Sequence, residues 1–487
     1  MTIRRSLGFS ALTQLINFLL SFGSVIIVSR LLAPEEIGVF SVSVSLLGFA
    51  HILRDFGVGN YLIQVKEVTR ANMRAAFSVM LYSSWLIAAL LFLARGPIAD
   101  FYNREGVAEV IGLIAFNFLI VPFGAPILSV LRREMQFGRI TIVSTANTFV
   151  QVSVTVICAM NGLSYLSMAW GSIAGMATNV ILLLIMRPQE SMLQPTTRGL
   201  REVVHFGFKS SATSIAAEIG NAAPDLIFGR TLGFSAVGYF SRAAGLVHMA
   251  MGQLMKIVQD VFLPAFARDI RNGENPAALY SRATLHMTGI TAPITALLAV
   301  MAEPLILFLF GEQWIPSALL ATLLCLYALL FSPFSLAGNA LIAAGHVSRV
   351  MHIQVAVQCV KVSTLLSSLW LPLEQVVMLL VLSTFMSAVL HARALKQKFG
   401  LSARRLFRAL RPSLILVPLT VTAPLALRLT EHFQFIDLSP FLQLATASSL
   451  FAATWLIAIY RLRHPLSAEL DRLVLNLRKR LPRAPNT

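Results

Sequence analysis

The chain has 487 residues, of which 56% are hydrophobic and 13% charged, against roughly a quarter charged in an ordinary globular domain. That much apolar surface excludes a water-soluble multidomain fold. The formal net charge of +17 does not point to nucleic acid, because Lys and Arg punctuate apolar runs instead of clustering on a soluble face.

A membrane-crossing helix needs roughly 20 apolar residues. Arg4 and Arg5 precede an apolar stretch over 7–29 that is too long for a signal-peptide core, so it is read as an uncleaved first span. Spans follow near 37–54, 75–94, 107–129, 140–160 and 164–186. A second set is expected near 209–229, 234–258, 284–309, 317–343, 353–371 and 374–392, and two more near 412–429 and 440–460, about fourteen in all. Pro122, Pro126, Pro224, Pro293 and Pro333 fall within spans, which a bundle tolerates when neighbours satisfy the freed backbone groups.

Placing both termini in the cytoplasm puts 32 of the 39 Lys and Arg residues on that side. Only Arg30, Arg95, Arg104, Arg230 and Arg428 fall outside, while Arg242 and Lys361 stay within spans. The expected organisation is a lobe over 1–186, a cytoplasmic linker over 187–208, a second lobe over 209–392, a basic loop over 393–411, two added helices over 412–460 and a basic tail over 461–487. The tail, with Arg478, Lys479 and Arg480, reads either as a lipid-surface segment or as a solvated end. Cys158, Cys325 and Cys359 are far apart inside apolar runs and read as buried small hydrophobes, with no disulfide or metal spacing.

The chain carries an internal repeat. RLLAPEEIGVFS at 30–41 is echoed by RTLGFSAVGYFS at 230–241, with Arg30/Arg230, Leu32/Leu232, Gly38/Gly238, Phe40/Phe240 and Ser41/Ser241 identical. Each copy joins the first and second helices of a six-helix set, so the two sets have parallel orientation, an arrangement that usually places the substrate path near the bilayer midplane.

Six segments in order carry a family resemblance: SRLLAPEEIGVFSV (29–42), RDFGVGNYLIQVKEVT (54–69), LRREMQFGRI (131–140), DLIFGRTLGFSAVGYFSRA (225–243), AEPLILFLFGEQWIPSA (302–318) and ALIAAGHVSR (340–349). Over most of residues 5–400 the chain resembles the Wzx-type polysaccharide transporters, close to the colanic-acid-exporter-like branch of the multidrug/oligosaccharidyl-lipid/polysaccharide exporter superfamily. The resemblance implies an all-α membrane protein with two parallel, MATE-like six-helix lobes plus two C-terminal helices. It implies alternating access, driven by H+ or Na+, that moves undecaprenyl-diphosphate-linked oligosaccharide across the inner membrane. A monomer is expected, in the lipid bilayer, with a polysaccharide polymerase and co-polymerase as partners; no nucleic acid, metal or cofactor is implied.

Ionisable groups deep in a span are costly and are functional candidates by default. Arg242 and Lys361 each lie about nine residues into a span, near the midplane at 1.5 Å per residue. A guanidinium can hold the substrate's phosphate bidentately and an ammonium can act as a point charge; the alternative is structural pairing with a carboxylate. Arg30 and Arg230 lie at outer helix ends, where they either join the substrate-binding set or snorkel. Glu218 and Asp225 are the ion-coupling candidates, with a static salt bridge to Arg230 or Arg242 as the alternative. Glu303 reads as a turn or capping residue. Gln14, Asn17, Asn147, Gln151 and Asn339 either bind sugar hydroxyls or hold helices together.

Two other functions are weighed. A polysaccharide polymerase or ligase would need a catalytic constellation, and the sequence is read as offering no paired catalytic carboxylates, no metal-ligand cluster and no HExxH-type spacing. A drug antiporter of the same fold is disfavoured by the basic character of the span residues.

Overall fold

In lipid, every backbone polar group must be satisfied within the protein, which favours helices. A computed structural model of the protein describes residues 3–55, 58–65, 69–187, 194–433 and 438–472, and among them there is no strand. Arg478, Lys479 and Arg480 lie outside the described residues.

The chain forms two compact units, Met1–Ser241 and Arg242–Thr487. The first holds α1 (Ile3–Leu31), α2 (Pro34–Asp55), α3 (Val58–Gln64), α4 (Arg70–Tyr102), α5 (Glu105–Ile120), α6 (Ala125–Arg133), α7 (Phe137–Met160), α8 (Leu166–Ile185), α9 (Leu200–Thr231) and the start of α10 (Phe234–Arg271). The second holds the rest of α10, then α11 (Pro276–Val300), α12 (Ala302–Phe310), α13 (Pro316–Phe331), α14 (Ala337–Ala343), α15 (Val347–Leu366), α16 (Leu373–Phe399), α17 (Ala403–Ala409), α18 (Arg411–His432) and α19 (Pro440–Arg461). The boundary between these two units falls inside α10. The reason is packing: α9 lies against α2 and α4 of the first unit.

Among the described residues, 12 helices are long and apolar enough to cross a membrane. The chain is a multi-pass membrane protein. α9 and α10 coincide with the two other expected spans, and at 32 and 38 residues both exceed the hydrocarbon thickness. α9 runs unbroken past Pro224. Three expected spans are broken instead. The one near 284–309 divides at Met301 into α11 and α12, the one near 107–129 at a 3₁₀ turn, Val121–Phe123, and the one near 317–343 at the turn Ser332–Phe334.

The second and third of these breaks are counterparts. α5, the turn Val121–Phe123 and α6 are matched by α13, the turn Ser332–Phe334 and α14, each turn carrying a central proline, Pro122 or Pro333. The next turns match atom for atom. Gln136 N donates to the Leu131 carbonyl (2.9 Å) and His346 N to that of Leu341 (2.8 Å), the six-to-one bond of a Schellman end. Arg139 then donates to the Met186 carbonyl at the end of α8 (3.2 Å), and Arg349 to Gln397 near the end of α16 (2.8 Å). Each arginine ties the start of one helix to the end of its partner.

α19 seals the second unit by answering prolines. Pro293 in α11 has no N–H for the Gly289 carbonyl, and Trp455 Nε1 donates to that oxygen (3.1 Å). Pro424 in α18 likewise frees the Thr420 carbonyl, which accepts from Thr454 Oγ1 (3.3 Å). Just beyond α19, the fully buried His464 accepts the Leu466 amide at Nδ1 (3.2 Å) and donates from Nε2 to Ser413 Oγ (3.0 Å), whose own proton goes to the Leu285 carbonyl (2.9 Å).

Candidate functional site

In the first unit, a polar seam runs down α2 where it meets α9 and the start of α10. One end is a close backbone crossing: a Cβ on Gly38 would stand 1.9 Å from the Phe234 carbonyl oxygen, and one on Gly238 would stand 2.0 Å from that of Pro34. Only residues without a side chain permit this approach. One turn further in, the hydroxyls of Ser41 and Ser241 are 3.3 Å apart. Ser45 Oγ donates to Asp225 Oδ2 (2.7 Å), and Glu218 packs its carboxylate on the backbone of Gly48. Residues 41, 45 and 48 share one face of α2 by helical spacing, and 218 and 225, two turns apart, share one face of α9. The sequence-predicted coupling carboxylates are thus brought to one seam.

The first unit also holds a buried guanidinium that sequence reasoning assigned to a cytoplasmic flank. Arg54, 8% exposed, donates to His51 Nδ1 (3.1 Å) and lies 5.6 Å from the centre of the Phe118 ring, on which His51 stacks at 4.8 Å. The helical spacing of His51 and Arg54 was the available signal; the Phe118 ring, from α5, was not visible from it.

The two outer arginines fare differently. Arg230 is exposed, lies 5.1 Å from the Phe101 ring centre, and donates to the Asn103 side-chain oxygen (3.0 Å) in the amide orientation that satisfies both groups. Arg30 is exposed in the last turn of α1. Nearby, Arg104 pairs with Glu35 (2.7 Å).

In the second unit, Arg242 faces Trp314, its guanidinium 5.6 Å from the ring centre and its buried Nε without a hydrogen-bond partner. Trp314 is fully buried in the 3₁₀ turn Glu312–Trp314 after α12, where its ring meets Phe310 edge-on. Lys361 lies half-buried on α15 in one stripe with Gln354 and Gln358, whose Oε1 is buried without a partner. Arg242 and Lys361 therefore belong to different helices, each among polar or aromatic groups. Glu303 stands in the first turn of α12, as a capping residue would, and is also ion-paired with Arg428, which reaches Glu431 at 3.3 Å.

Several polar residues within spans join helices. Asn17 donates to Ser144 (2.9 Å), joining α1 to α7, while Asn147 and Gln151 of α7 face Gly171 and Gly175 of α8. Of the cysteines, Cys325 is buried and Cys158 half-buried, but Cys359 is exposed, contrary to the buried reading. On a membrane-crossing helix the apolar run that suggested burial equally suits a lipid-facing position.

Residues 27–319 match the family described as Polysaccharide biosynthesis protein. The chain is similar to Lipopolysaccharide biosynthesis protein WzxC of Escherichia coli, 24% identical over 69% of each chain. It is also similar to Succinoglycan biosynthesis transport protein ExoT of Rhizobium meliloti, 25% identical over 64% of this chain and 63% of that one. Among solved structures, Lipid II flippase MurJ in an inward closed conformation superposes with a TM-score of 0.75 over 93% of this chain and 98% of that one, at 10% identity. An inward-facing multidrug MATE transporter gives 0.62 over 79% and 94%, at 14% identity. These two establish the fold.

Proposed function

The chain belongs to the polysaccharide biosynthesis protein family, and on that premise we propose that it is a flippase for undecaprenyl-diphosphate-linked oligosaccharide. It moves these units across the bacterial inner membrane for surface polysaccharide assembly, by alternating access and without a catalytic step of its own. The observation that carries this reading is Arg242, a guanidinium inside the helical frame with a buried Nε–H that no protein group accepts. A buried donor left unmatched is costly, and the phosphate oxygens of a diphosphate are its natural acceptors. Lys361 adds a second cation; Arg30 and Arg230 guide the headgroup near the outer ends.

Glu218 and Asp225 carry the coupling H+ or Na+. Both pack on α2, Asp225 accepting from Ser45 and Glu218 lying on the backbone of Gly48, so protonation there would loosen the α2–α9 seam. Fourteen spans with both termini cytoplasmic complete the proposal, with the 187–208 linker between lobes, a monomeric carrier, and a polymerase with its co-polymerase as the machinery that receives the product. The charge asymmetry of the loops supports the orientation.

The test is deletion of the gene in its host. Loss of the surface polysaccharide with lipid-linked units accumulating on the cytoplasmic leaflet is the expected result. Complete units reaching the periplasm unpolymerised would instead mark a polymerase.

A further inference from the structure

We propose that residues 393–411 form a docking platform for anionic phospholipid headgroups, built around α17. This rests on the membrane-crossing helices and is independent of the cargo. α16 ends at Gly400, whose φ of 67° turns the chain out of the helix. α17 follows, and α18, a membrane-crossing helix, begins at Arg411. The platform is therefore tethered at headgroup depth at both ends.

α17 is held against the unit in one orientation. The Ser402 hydroxyl accepts the Arg405 amide (3.4 Å) and caps its first turn. Leu406 and Leu410 are buried at 1% and 0% exposure in the cluster that contains Phe266, Tyr280 and Leu395. With that face buried, the other is set: Arg404, Arg405, Arg408 and Arg411 are exposed, and Phe407 stands 43% exposed among them. Arg393, Lys396 and Lys398 on the last turns of α16 are exposed as well.

Residues 393–411 contain seven Lys and Arg and no Asp or Glu. Among the described residues, none of the seven takes part in an ion pair. A merely solvated loop has no need of a buried leucine pair that presents every arginine of the helix outward. Phosphodiester headgroups suit this face: guanidiniums grip phosphate oxygens bidentately, and a juxtamembrane cluster of this size attracts anionic lipid. Phe407 meets the buried Phe334 edge-on, 6.3 Å between ring centres, and it is the tether between two membrane-crossing helices that favours lipid over an acidic protein surface.

The experiment uses the full chain in nanodiscs of phosphatidylcholine containing cardiolipin, with lipid retained after extraction counted by native mass spectrometry. R404Q/R405Q/R408Q should retain less cardiolipin by about tenfold or more, since each juxtamembrane cation contributes severalfold. R404K/R405K/R408K should keep most of it, and both should melt like the wild type in phosphatidylcholine alone. Equal retention by the glutamine variant and the wild type would overturn the proposal. Should the triple variant melt early, the three single glutamine variants are read the same way: graded losses support the platform, and unchanged retention overturns it.

Discussion

Gly38 and Gly238 sit at the same register of the internal repeat, and each faces the other copy's backbone. Gly38 faces the Phe234 carbonyl and Gly238 the Pro34 carbonyl, with Ser41 and Ser241 meeting at 3.3 Å beside them. The repeat is thus a local pseudo-two-fold crossing of α2 and the start of α10. Because backbone, not a flexible side chain, would meet the added carbon, neither site can yield by a rotamer change.

Gly38→Ala and Gly238→Ala should therefore each destabilise the protein by about 1–3 kcal/mol, the usual cost of overpacking. Their effects should be similar in size. The double variant should cost less than the sum, since the first carbon already separates the helices. Melting in detergent checks this; a neutral result at either glycine would contradict the crossing.

Removing the indole donor with Trp455→Phe leaves the Gly289 carbonyl unsatisfied and should cost about 1 kcal/mol, the scale of interhelical hydrogen bonds in membranes. The cost should shrink in a Pro293→Ala background, where the restored N–H of residue 293 supplies the missing donor. An unchanged cost there would show that Trp455 acts by packing alone.

His464 gives a pH dependence. Burial, and secondarily the nearby His286, pushes it down to about 4. The groups around it are the Leu466 amide, Ser413, the Leu285 carbonyl and His286. The folded state binds fewer protons than the unfolded state between the ordinary histidine value of about 6.5 and 4. Its contribution is complete above the unfolded value and is lost as pH falls through that window. His464→Gln keeps an acceptor and a donor without the titration. The difference in melting temperature between wild type and His464→Gln should move against the wild type as pH drops from 7 to 4, and a constant difference would contradict the fixed neutral ring.

The helical architecture was largely legible because apolar runs of membrane length leave few alternatives. The 200-residue repeat was legible because its matches include Arg and Gly, residues that apolar drift does not supply. The second repeat, 131–140 against 341–350, escaped notice because it shares little beyond Leu131/Leu341 and Arg139/Arg349. What recurs is geometry, a left-handed residue at the same place in both turns, Met135 in one and Gly345 in the other. Glu218 and Asp225 could be chosen as costly charges on α9, but Ser45 and Gly48, which receive them, belong to α2, and no periodicity names a partner helix. Arg54 ends an apolar run, as a flanking residue does, and its burial against Phe118 of α5 was not legible for a related reason.

If Arg242 and Lys361 hold the anionic headgroup, Arg242→Ala and Lys361→Ala should each lose export at a normal level of membrane-inserted protein. Arg242→Lys should recover part of it, since the charge returns without the bidentate fork. Arg30→Ala and Arg230→Ala, at exposed positions, should cost less. A fall in folded protein instead of export would assign Arg242 to packing against Trp314.

Translocation itself can be measured directly. Purified protein is reconstituted into vesicles whose undecaprenyl-diphosphate-linked oligosaccharide can be probed from outside by a membrane-impermeant reagent that modifies the sugar. Vesicles with the wild type should expose the headgroups that empty vesicles shelter, until nearly all the lipid reacts, while the Arg242→Ala, Lys361→Ala double variant stays near the empty-vesicle level. Wild-type vesicles that shelter the headgroup as completely as empty ones, under an imposed proton or sodium gradient of either direction, would contradict the flippase account.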